Sequence, residues 1–337
     1  MVEWTETSFV ASNGLRIAGK KYQHLSSSSG REVRILAVHG WLDNANSFDS
    51  FAANLFTNLS ITSPSITLIS IDLPGHGHSD PLHRGQTYYL WDFALSIHDV
   101  STSLNWDKFT LIGHSLGGHT SYLFAGTYPE KLESLVIIES IGFVNRLNTA
   151  NDDAASMRVY MDRRRVLNLE EAGVKAESPR TVYESLDAAA RVRMDGVTKV
   201  SLEAALCLCT RGCEAVYGGD GEMVVGYKLR TDKRLLMRHF FQWDHTGVVN
   251  IMRNISCDKL VVLGSASNLL REGDPLVVER MDALKSRKGG ETQVVWVEGG
   301  THHLHLEAET SAVVSNLVKE FLSIGTEDNR GVGLISE

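Results

Sequence analysis

The chain has 337 residues, of which 43% are hydrophobic and 22% are charged, and it contains only six prolines. This length and composition exclude a disulfide-held mini-protein and a disordered chain, and they predict a large core in one enlarged domain or in two domains. The 33 basic and 41 acidic side chains give a formal net charge of −8, which repels phosphate backbones and lipid headgroups and favours a small-molecule partner over nucleic acid or a membrane.

Short apolar runs that alternate with longer amphipathic segments predict a β-α-β succession, which is typical of a parallel sheet with crossover helices. Two leading strands are predicted around Trp4–Phe9 and Leu15–Tyr22. Later strands are predicted at Arg34–Val38, Ile66–Ile71, Thr110–Ile112, Ser134–Ile138, Leu260–Gly264 and Gln293–Val297. Helices are predicted near residues 47–59, 87–105 and 116–128, and a final helix near Leu306–Ile324.

The rhythm of strands and helices stops between residues 143 and 256, where helical spacing prevails and short buried strands are not predicted. This segment is interpreted as a helical cap that lies over the carboxyl ends of the strands, where open α/β sheets bind their ligands. The predicted division is a core of residues 1–142 and 257–325, a cap of residues 143–256 and a flexible tail of residues 326–337.

A strand runs directly into a glycine-rich turn and then a helix at Leu111-Ile112-Gly113-His114-Ser115-Leu116-Gly117-Gly118. In this Gly-x-Ser-x-Gly arrangement a strained turn presents a nucleophilic serine above the sheet. Small residues are needed beside the serine because side chains there would collide with backbone, and the glycines meet that need. The turn also places Ser115 at a helix N-terminus, where N–H groups favour developing negative charge. We therefore predict that Ser115 is the nucleophile of an acyl-transfer reaction.

Such a nucleophile needs two N–H donors for the oxyanion of its tetrahedral intermediate. The amide of Leu116, directly after the serine, is the first predicted donor. The loop after the third strand reads His39-Gly40-Trp41, and its glycine allows a turn that points the next amide into the site. The Trp41 amide is therefore the second predicted donor, and His39 is expected to brace the loop rather than act as the base.

Three segments together resemble a known fold family: His39–Asp49, Asp72–Ser79 and Gly113–Gly118. The chain resembles the α/β hydrolases, and more narrowly it is similar to the serine hydrolase-like proteins, from the first strands to the last helix. The resemblance implies a mostly parallel eight-stranded sheet with a helical cap inserted after the sixth strand. It also implies ester-type hydrolysis without a cofactor.

The catalytic base is expected on the loop after the last strand, which offers His302, His303 and His305. Related hydrolases carry a histidine five residues before a glutamate that opens the final helix, and this register selects His302. His303 is the alternative, and His305 is expected to pack beside the start of the helix. Because adjacent histidines do not easily face one ion, no metal site is predicted.

The catalytic acid departs from the commonest pattern of the family. Many α/β hydrolases carry an aspartate after the seventh strand, where this chain has Ser267. A known alternative in the superfamily places the acid at the end of the sixth strand, where Glu139 follows an apolar run. A desolvated carboxylate is costly unless it is paired, and the imidazole supplies a partner. Glu139 is therefore the predicted acid, and Asp274 and Glu272 are the alternatives.

Four side chains near the cap are candidates for an apolar substrate pocket, although such residues more often belong to the core. They are His114, Trp91, Phe143 and Trp243. The predictions together describe a serine esterase or thioesterase that acts on a small, apolar acyl substrate through an acyl-enzyme. A carbon–carbon bond hydrolase on the same triad and a non-catalytic small-molecule binder are the alternatives.

The N-terminal sequence lacks a secretory signal pattern, and no apolar run approaches the ~18 residues of a membrane span. A cytoplasmic location is therefore expected, with the peroxisome left open. The four cysteines form no Cys-x-x-Cys pair and are expected to be buried or idle thiols. The oligomeric state is predicted to be a monomer or a homodimer.

Overall fold

The computed structural model describes residues 2–27, 30–142, 153–219, 221–237, 244–285 and 289–324. Its strands are β1 (Trp4–Val10), β2 (Arg16–His24), β3 (Glu32–Val38), β4 (Ser65–Ile71), β5 (Phe109–His114), β6 (Leu132–Ile138), β7 (Cys213–Tyr217), β8 (Val224–Leu229), β9 (Asp258–Gly264) and β10 (Thr292–Val297). Its α-helices are α1 (Asp49–Leu55), α2 (Leu90–Ser103), α3 (Leu116–Thr127), α4 (Asp153–Glu171), α5 (Leu186–Met194), α6 (Leu202–Gly212), α7 (His245–Arg253), α8 (Pro275–Leu284) and α9 (Ser311–Phe321).

Eight strands form one sheet in the order β1-β2-β4-β3-β5-β6-β9-β10, so all eight strands predicted from the sequence are confirmed. Within this sheet, only the β1–β2 and β2–β4 pairs are antiparallel. The parallel register aligns Val38 with Gly113, Gly113 with Ile137 and Ile138 with Val262. The carboxyl ends of β3, β5, β6 and β9 therefore lie side by side, and their loops meet at one edge.

Helices cover both faces of the sheet, as buried parallel strands require. On one face α1 packs against α9, and Phe51, Leu55, Val314 and Val318 fill the layer between these helices and the strands. On the other face α3 packs against α2 and α7, and α7 packs against α8. In the part of the chain that is described, no helix has both the length and the apolar character needed to cross a bilayer.

The cap contains α4, α5 and α6, but it is not wholly helical as predicted. β7 and β8 form an antiparallel hairpin, in which Cys213 pairs with Leu229. These strands were missed because their residues are mostly half-buried or exposed, so they form no compact apolar run. The four cysteines are free thiols, buried or half-buried, as expected.

The predicted cap boundary at residue 256 also needs correction, because α7 belongs to the core layer. Asn254, at the C-terminal end of α7, donates a hydrogen bond to the carbonyl of Gly126 in α3. Met252 is fully buried in the same apolar cluster as the α3 side chains. The last helix begins at Ser311 rather than near Leu306, because residues 302–307 form turns instead.

Candidate active site

Ser115 occupies a strained turn between β5 and α3. Its φ of 51° lies in the left-handed region, which is costly for a residue with a side chain. The Ser115 amide donates to the carbonyl of Ile138 at 3.0 Å, which ties the turn to the end of β6. A Cβ atom on Gly117 would overlap the backbone carbonyl of Val38. The geometry is that of the predicted nucleophile elbow, and its glycines are there because the backbones approach closely.

Glu139 follows β6 and is also held in a left-handed conformation, with a φ of 50°. Its carboxylate is buried and accepts two short hydrogen bonds, from the Gly264 amide to Oε1 and from the Ser267 hydroxyl to Oε2, both at 2.6 Å. Ser267 stands where many relatives of this fold carry the acid. In this chain it supports a carboxylate supplied by the neighbouring strand.

His302 lies on the loop after β10, with Nδ1 3.1 Å from Oε2 of Glu139. The contact fixes Nδ1 as the protonated nitrogen and leaves Nε2 to exchange a proton elsewhere. Nε2 of His114, the residue before Ser115, donates to the His302 carbonyl at 2.8 Å and so holds this loop against the elbow. The two alternative acids lie elsewhere: Asp274 accepts from the Leu276 amide at 2.9 Å and caps α8, and Glu272 is exposed.

The loop after β3 carries the predicted oxyanion donor at Trp41. His39 braces this loop as predicted: Nδ1 lies 2.7 Å from the Gly40 carbonyl, and Nε2 accepts from the Leu73 amide at 3.0 Å. Burial lowers the pKa of His39 to about 4, so it is neutral at pH 7. Leu116, the other predicted donor, is the first residue of α3, where backbone N–H groups have no intrahelical acceptor.

A second histidine–carboxylate pair lies beside the first. Nε2 of His303 is 3.1 Å from Oδ2 of Asp43, and Nη2 of Arg193 is 3.0 Å from Oδ1 of the same carboxylate. Burial alone would raise the pKa of Asp43, but His303 and Arg193 outweigh it and hold that pKa well below the usual range. Arg193 belongs to α5, so this ion pair links the cap to the loop that carries Trp41.

Asp43, His114 and His303 also offer three possible metal-ligating atoms within 4.8 Å of one another. The Arg193 guanidinium already compensates this group, because Nη2 lies 3.2 Å from Nε2 of His303 as well as close to Asp43. A divalent ion would have to displace a cation that is paired with a buried carboxylate. We therefore interpret the cluster as an ion-pair network rather than a metal centre.

Three further histidines near His302 are neutral at pH 7: His114 and His305, which are buried, and His119, which is half-buried. Burial lowers the pKa of His119 to about 4 and that of His305 to about 3, and it holds the pKa of His114 well below its usual range. Neighbouring histidines add to each decrease. His305 packs against Phe48 and contacts the Ser47 hydroxyl at 2.8 Å, as its packing prediction expected.

A cavity of about 520 Å³ lies between the cap and the loop after β3, and most of its lining is apolar. Trp41, Leu42, Tyr183, Ala189 and Leu208 contribute to its walls. Of the predicted pocket residues, Trp91 instead stacks on Tyr89 at the surface, and His114 is buried beneath the loop. Phe143 and Trp243 lie outside the described residues.

The sequence did not reveal the walls of this cavity or the network around Asp43. Leu208 lies on an amphipathic helix whose apolar face could have been read as either cap core or cavity wall. Asp43 follows the His-Gly-Trp-Leu motif, but its burial and its pairing with Arg193 depend on how the cap folds back. Ser267 stands where many α/β hydrolases carry the acid, and this departure is the sequence signal for its hydrogen bond to Glu139.

Comparisons with known proteins agree with this architecture. A family model described as the alpha/beta hydrolase fold matches residues 33–169. The chain is 28% identical to a serine hydrolase-like protein of Dictyostelium discoideum, over 93% of this chain and 80% of that protein. It is 26% identical to a serine hydrolase-like protein of Danio rerio, over 89% of this chain and 84% of that protein.

Solved structures show the same similarity. The crystal structure of a hypothetical protein from Pseudomonas aeruginosa PAO1 superposes with a TM-score of 0.73 and 28% identity, covering 96% of this chain and all of that chain. The similarity therefore extends beyond the Ser115 turn to the sheet, the helices and the residues between β6 and β9.

Proposed function

Because this chain has the α/β-hydrolase architecture and is similar to serine hydrolase-like proteins over most of its length, we propose that it hydrolyses a carboxylic ester or thioester through Ser115, His302 and Glu139. The observation that carries the proposal is the buried contact of 3.1 Å between His302 Nδ1 and Glu139 Oε2, on a loop held against the Ser115 elbow. A base oriented in this way is what a serine nucleophile needs.

In the first half of the reaction, Nε2 of His302 takes the proton of the Ser115 hydroxyl as the serine oxygen attacks the acyl carbon. Glu139 keeps the proton of Nδ1 in place and stabilises the imidazolium. The amides of Trp41 and Leu116 bind the oxyanion, and each such donor is worth about 10²–10³ in kcat. The intermediate then expels the alcohol or thiol, which takes the proton from His302, and an acyl-enzyme remains.

Water completes the cycle in the second half. His302 removes a proton from the water, hydroxide attacks the acyl-enzyme, and the collapse of the second intermediate returns the proton to Ser115. These reaction steps need no redox change and no external cofactor. The acid and the released alcohol or thiol account for all atoms of the ester and the water.

The cavity at the cap supports an acyl substrate with a substantial apolar part. Its volume of about 520 Å³ falls within the range of ~300–1,000 Å³ typical of small-molecule sites. Trp41 belongs both to the cavity lining and to the oxyanion loop, where its backbone amide is a proposed donor. The Trp41 indole also donates to the Leu235 carbonyl at 3.1 Å, which fixes the ring against the cap.

The test is labelling with a fluorophosphonate together with hydrolysis of p-nitrophenyl esters of increasing chain length. The intact chain should be labelled at Ser115, and Ser115→Ala should lose labelling and about 10⁶ of kcat. Ser103→Ala is the matched control, because Ser103 is an exposed serine on α2. Full ester turnover by Ser115→Ala, or no labelling of the intact chain, would contradict the proposal. The second result would favour a non-catalytic binding protein.

A further inference from the structure

Five basic side chains are buried in the described part of the chain: Lys20, Arg211, Arg234, Lys259 and Arg280. Four of them have clear partners: Lys20 pairs with Asp49, Arg211 with Asp72, Arg234 with Asp232, and Lys259 donates to the carbonyls of Gly289 and Gly290. Arg280 is the exception. The usual rule that a buried charge is compensated therefore holds at four positions and fails at one.

The Arg280 side chain is only 2% exposed, and its Nε and Nη1 atoms are buried without a hydrogen-bond acceptor among the described residues. The adjacent carboxylate, Glu279, does not compensate it at close range. Oε1 of Glu279 lies 2.6 Å from Nε2 of His245, and the Glu279 side chain is 59% exposed on the outer face. A buried guanidinium in this condition destabilises the fold unless a ligand supplies the missing negative charge.

Arg280 lies close to the proposed catalytic residues. It projects from α8 toward the loop after Glu139, where a Cβ atom on Gly142 would be 3.8 Å from Nη1. Tyr122 of α3 is within its electrostatic reach and directs its hydroxyl to the Ser140 carbonyl, at 3.4 Å. The unpaired charge therefore borders the segment that follows the catalytic acid.

The helix that begins at the nucleophile connects Arg280 to the reacting groups. The His119 amide donates to the Ser115 carbonyl at 3.0 Å, so His119 lies one turn after the serine. Burial, with further contributions from His302 and Arg280, lowers the pKa of His119 to about 4, so this imidazole is neutral at pH 7. His119 is thus the side chain that both the proposed base His302 and Arg280 influence electrostatically.

We propose that Arg280 anchors a carboxylate on the acyl part of the substrate, so that the preferred substrates are half-esters or half-thioesters of a dicarboxylic acid. This inference rests on the proposed function, because it names the substrate class of the same site. A guanidinium presents planar pairs of N–H donors that match a carboxylate, and such charge-assisted hydrogen bonds are among the strongest in proteins. The substrate carboxylate would supply the counter-charge that the described residues do not.

The kinetic test uses matched pairs of substrates. The p-nitrophenyl half-esters of succinic, glutaric and adipic acids are each compared with the neutral p-nitrophenyl ester of the same carbon number. We expect the intact chain to favour at least one half-ester in kcat/KM. Arg280→Gln should lower the ratio of half-ester to neutral ester by about 10–100-fold, the range expected for a hydrogen-bonded charge pair. Arg280→Lys should recover part of the ratio, because it keeps the positive charge.

The matched control is Arg271→Gln, which removes the same charge from an exposed position just before α8. It should leave the ratio unaltered, and an equal fall in both variants would mean that net charge rather than the Arg280 site sets the preference. If Arg280→Gln reduces both ester classes equally, or if the intact chain prefers every neutral ester, the proposal is wrong.

Two measurements do not require turnover. Arg280→Met should raise Tm by a few degrees, because it removes an unpaired buried charge and keeps an apolar side chain of similar length. Adipate and glutarate should bind the Ser115→Ala variant in calorimetry, and adding Arg280→Gln should abolish that binding. A fall in Tm for Arg280→Met with no dicarboxylate binding would indicate a structural role. Dicarboxylate binding that depends on Arg280, in a chain that cleaves no ester, would overturn the proposed function and leave this inference intact.

Discussion

Two histidine–carboxylate pairs lie side by side in this protein, and they are built from consecutive residues of one loop. His302 contacts Glu139 and His303 contacts Asp43, each at 3.1 Å, and both carboxylates are buried. They differ in what else touches the carboxylate. Glu139 accepts from neutral donors, the Gly264 amide and the Ser267 hydroxyl, whereas Asp43 also pairs with the Arg193 guanidinium.

The Arg193 guanidinium beside Asp43 gives the two histidine–carboxylate pairs different roles. The negative charge of Glu139 is solvated by dipoles but is not neutralised, so it can stabilise an imidazolium that forms on His302 during a reaction. The charge of Asp43 is already compensated by Arg193, so the second pair is suited to hold the cap against the oxyanion loop. A buried histidine beside a carboxylate is therefore not sufficient evidence of a catalytic base.

Replacing each histidine with glutamine is the most direct test of whether His302 and His303 have different roles. His302→Gln should lower kcat by about 10⁶, the loss expected when a serine hydrolase loses its base. His303→Gln should retain most of the chemistry, with a loss of about 10-fold or less in kcat, because it removes a positioning contact only. Stopped-flow or steady-state ester hydrolysis measures both values. Similar large losses from both variants would remove the distinction, and a larger loss from His303→Gln would reverse the assignment.

The two carboxylates provide the next contrast. Glu139→Gln should lower kcat by about 10⁴, because the amide can hold the imidazole in the wrong tautomer and no longer stabilises its charged form. Asp274→Asn is the control for the alternative acid, and it should alter stability by no more than about 0.5–2 kcal/mol through the cap of α8. Steady-state kcat and urea unfolding separate the two effects. A crippled Asp274→Asn enzyme beside an active Glu139→Gln enzyme would transfer the acid role to Asp274.

Loss of the pair between Asp43 and His303 should lower the free energy of unfolding rather than kcat. Asp43→Asn should destabilise the fold by about 2–3 kcal/mol, somewhat less than a fully buried broken pair, because Arg193 is 21% exposed and can reach water. The pKa of Asp43 is depressed in the folded state, so its stabilisation is complete above the unfolded value of about 4 and is lost as the pH falls further.

Urea unfolding of the intact chain and of Asp43→Asn at a series of pH values measures this difference. The gap between the two free energies of unfolding should be constant from neutral pH down to about 5 and should shrink below about 4. Arg191→Gln is a matched control, because Arg191 forms an exposed pair with Asp187 one helical turn away. That variant should change stability by less than about 1 kcal/mol. A gap that widens in acid would show that Asp43 is not the stabilised anion.

The sequence predicted the parts of this protein that depend on local patterns. The eight strands of the sheet and the Gly-x-Ser-x-Gly turn follow from short apolar runs and from glycines at close approaches. The register of His302 required the resemblance to a family, because three histidines occupy one loop. The hairpin β7–β8, the place of α7 in the core and the partner of Asp43 were not predicted. They depend on how the cap packs, and half-buried residues leave no periodic signal for that.

Ser267 provides the smallest and most specific test of the comparison, because it is the donor that distinguishes the surroundings of Glu139 from those of Asp43. Ser267→Ala should lower kcat by about 10-fold through the loss of one hydrogen bond to a charged group, with little change in KM. Ser267→Thr should restore the rate, because it keeps the hydroxyl. A Thr variant as slow as the Ala variant would show that the packing of the loop, rather than the hydrogen bond of 2.6 Å to Oε2, sets the rate. The proposed catalytic carboxylate would then owe its orientation to the left-handed backbone of Glu139 and to the Gly264 amide alone.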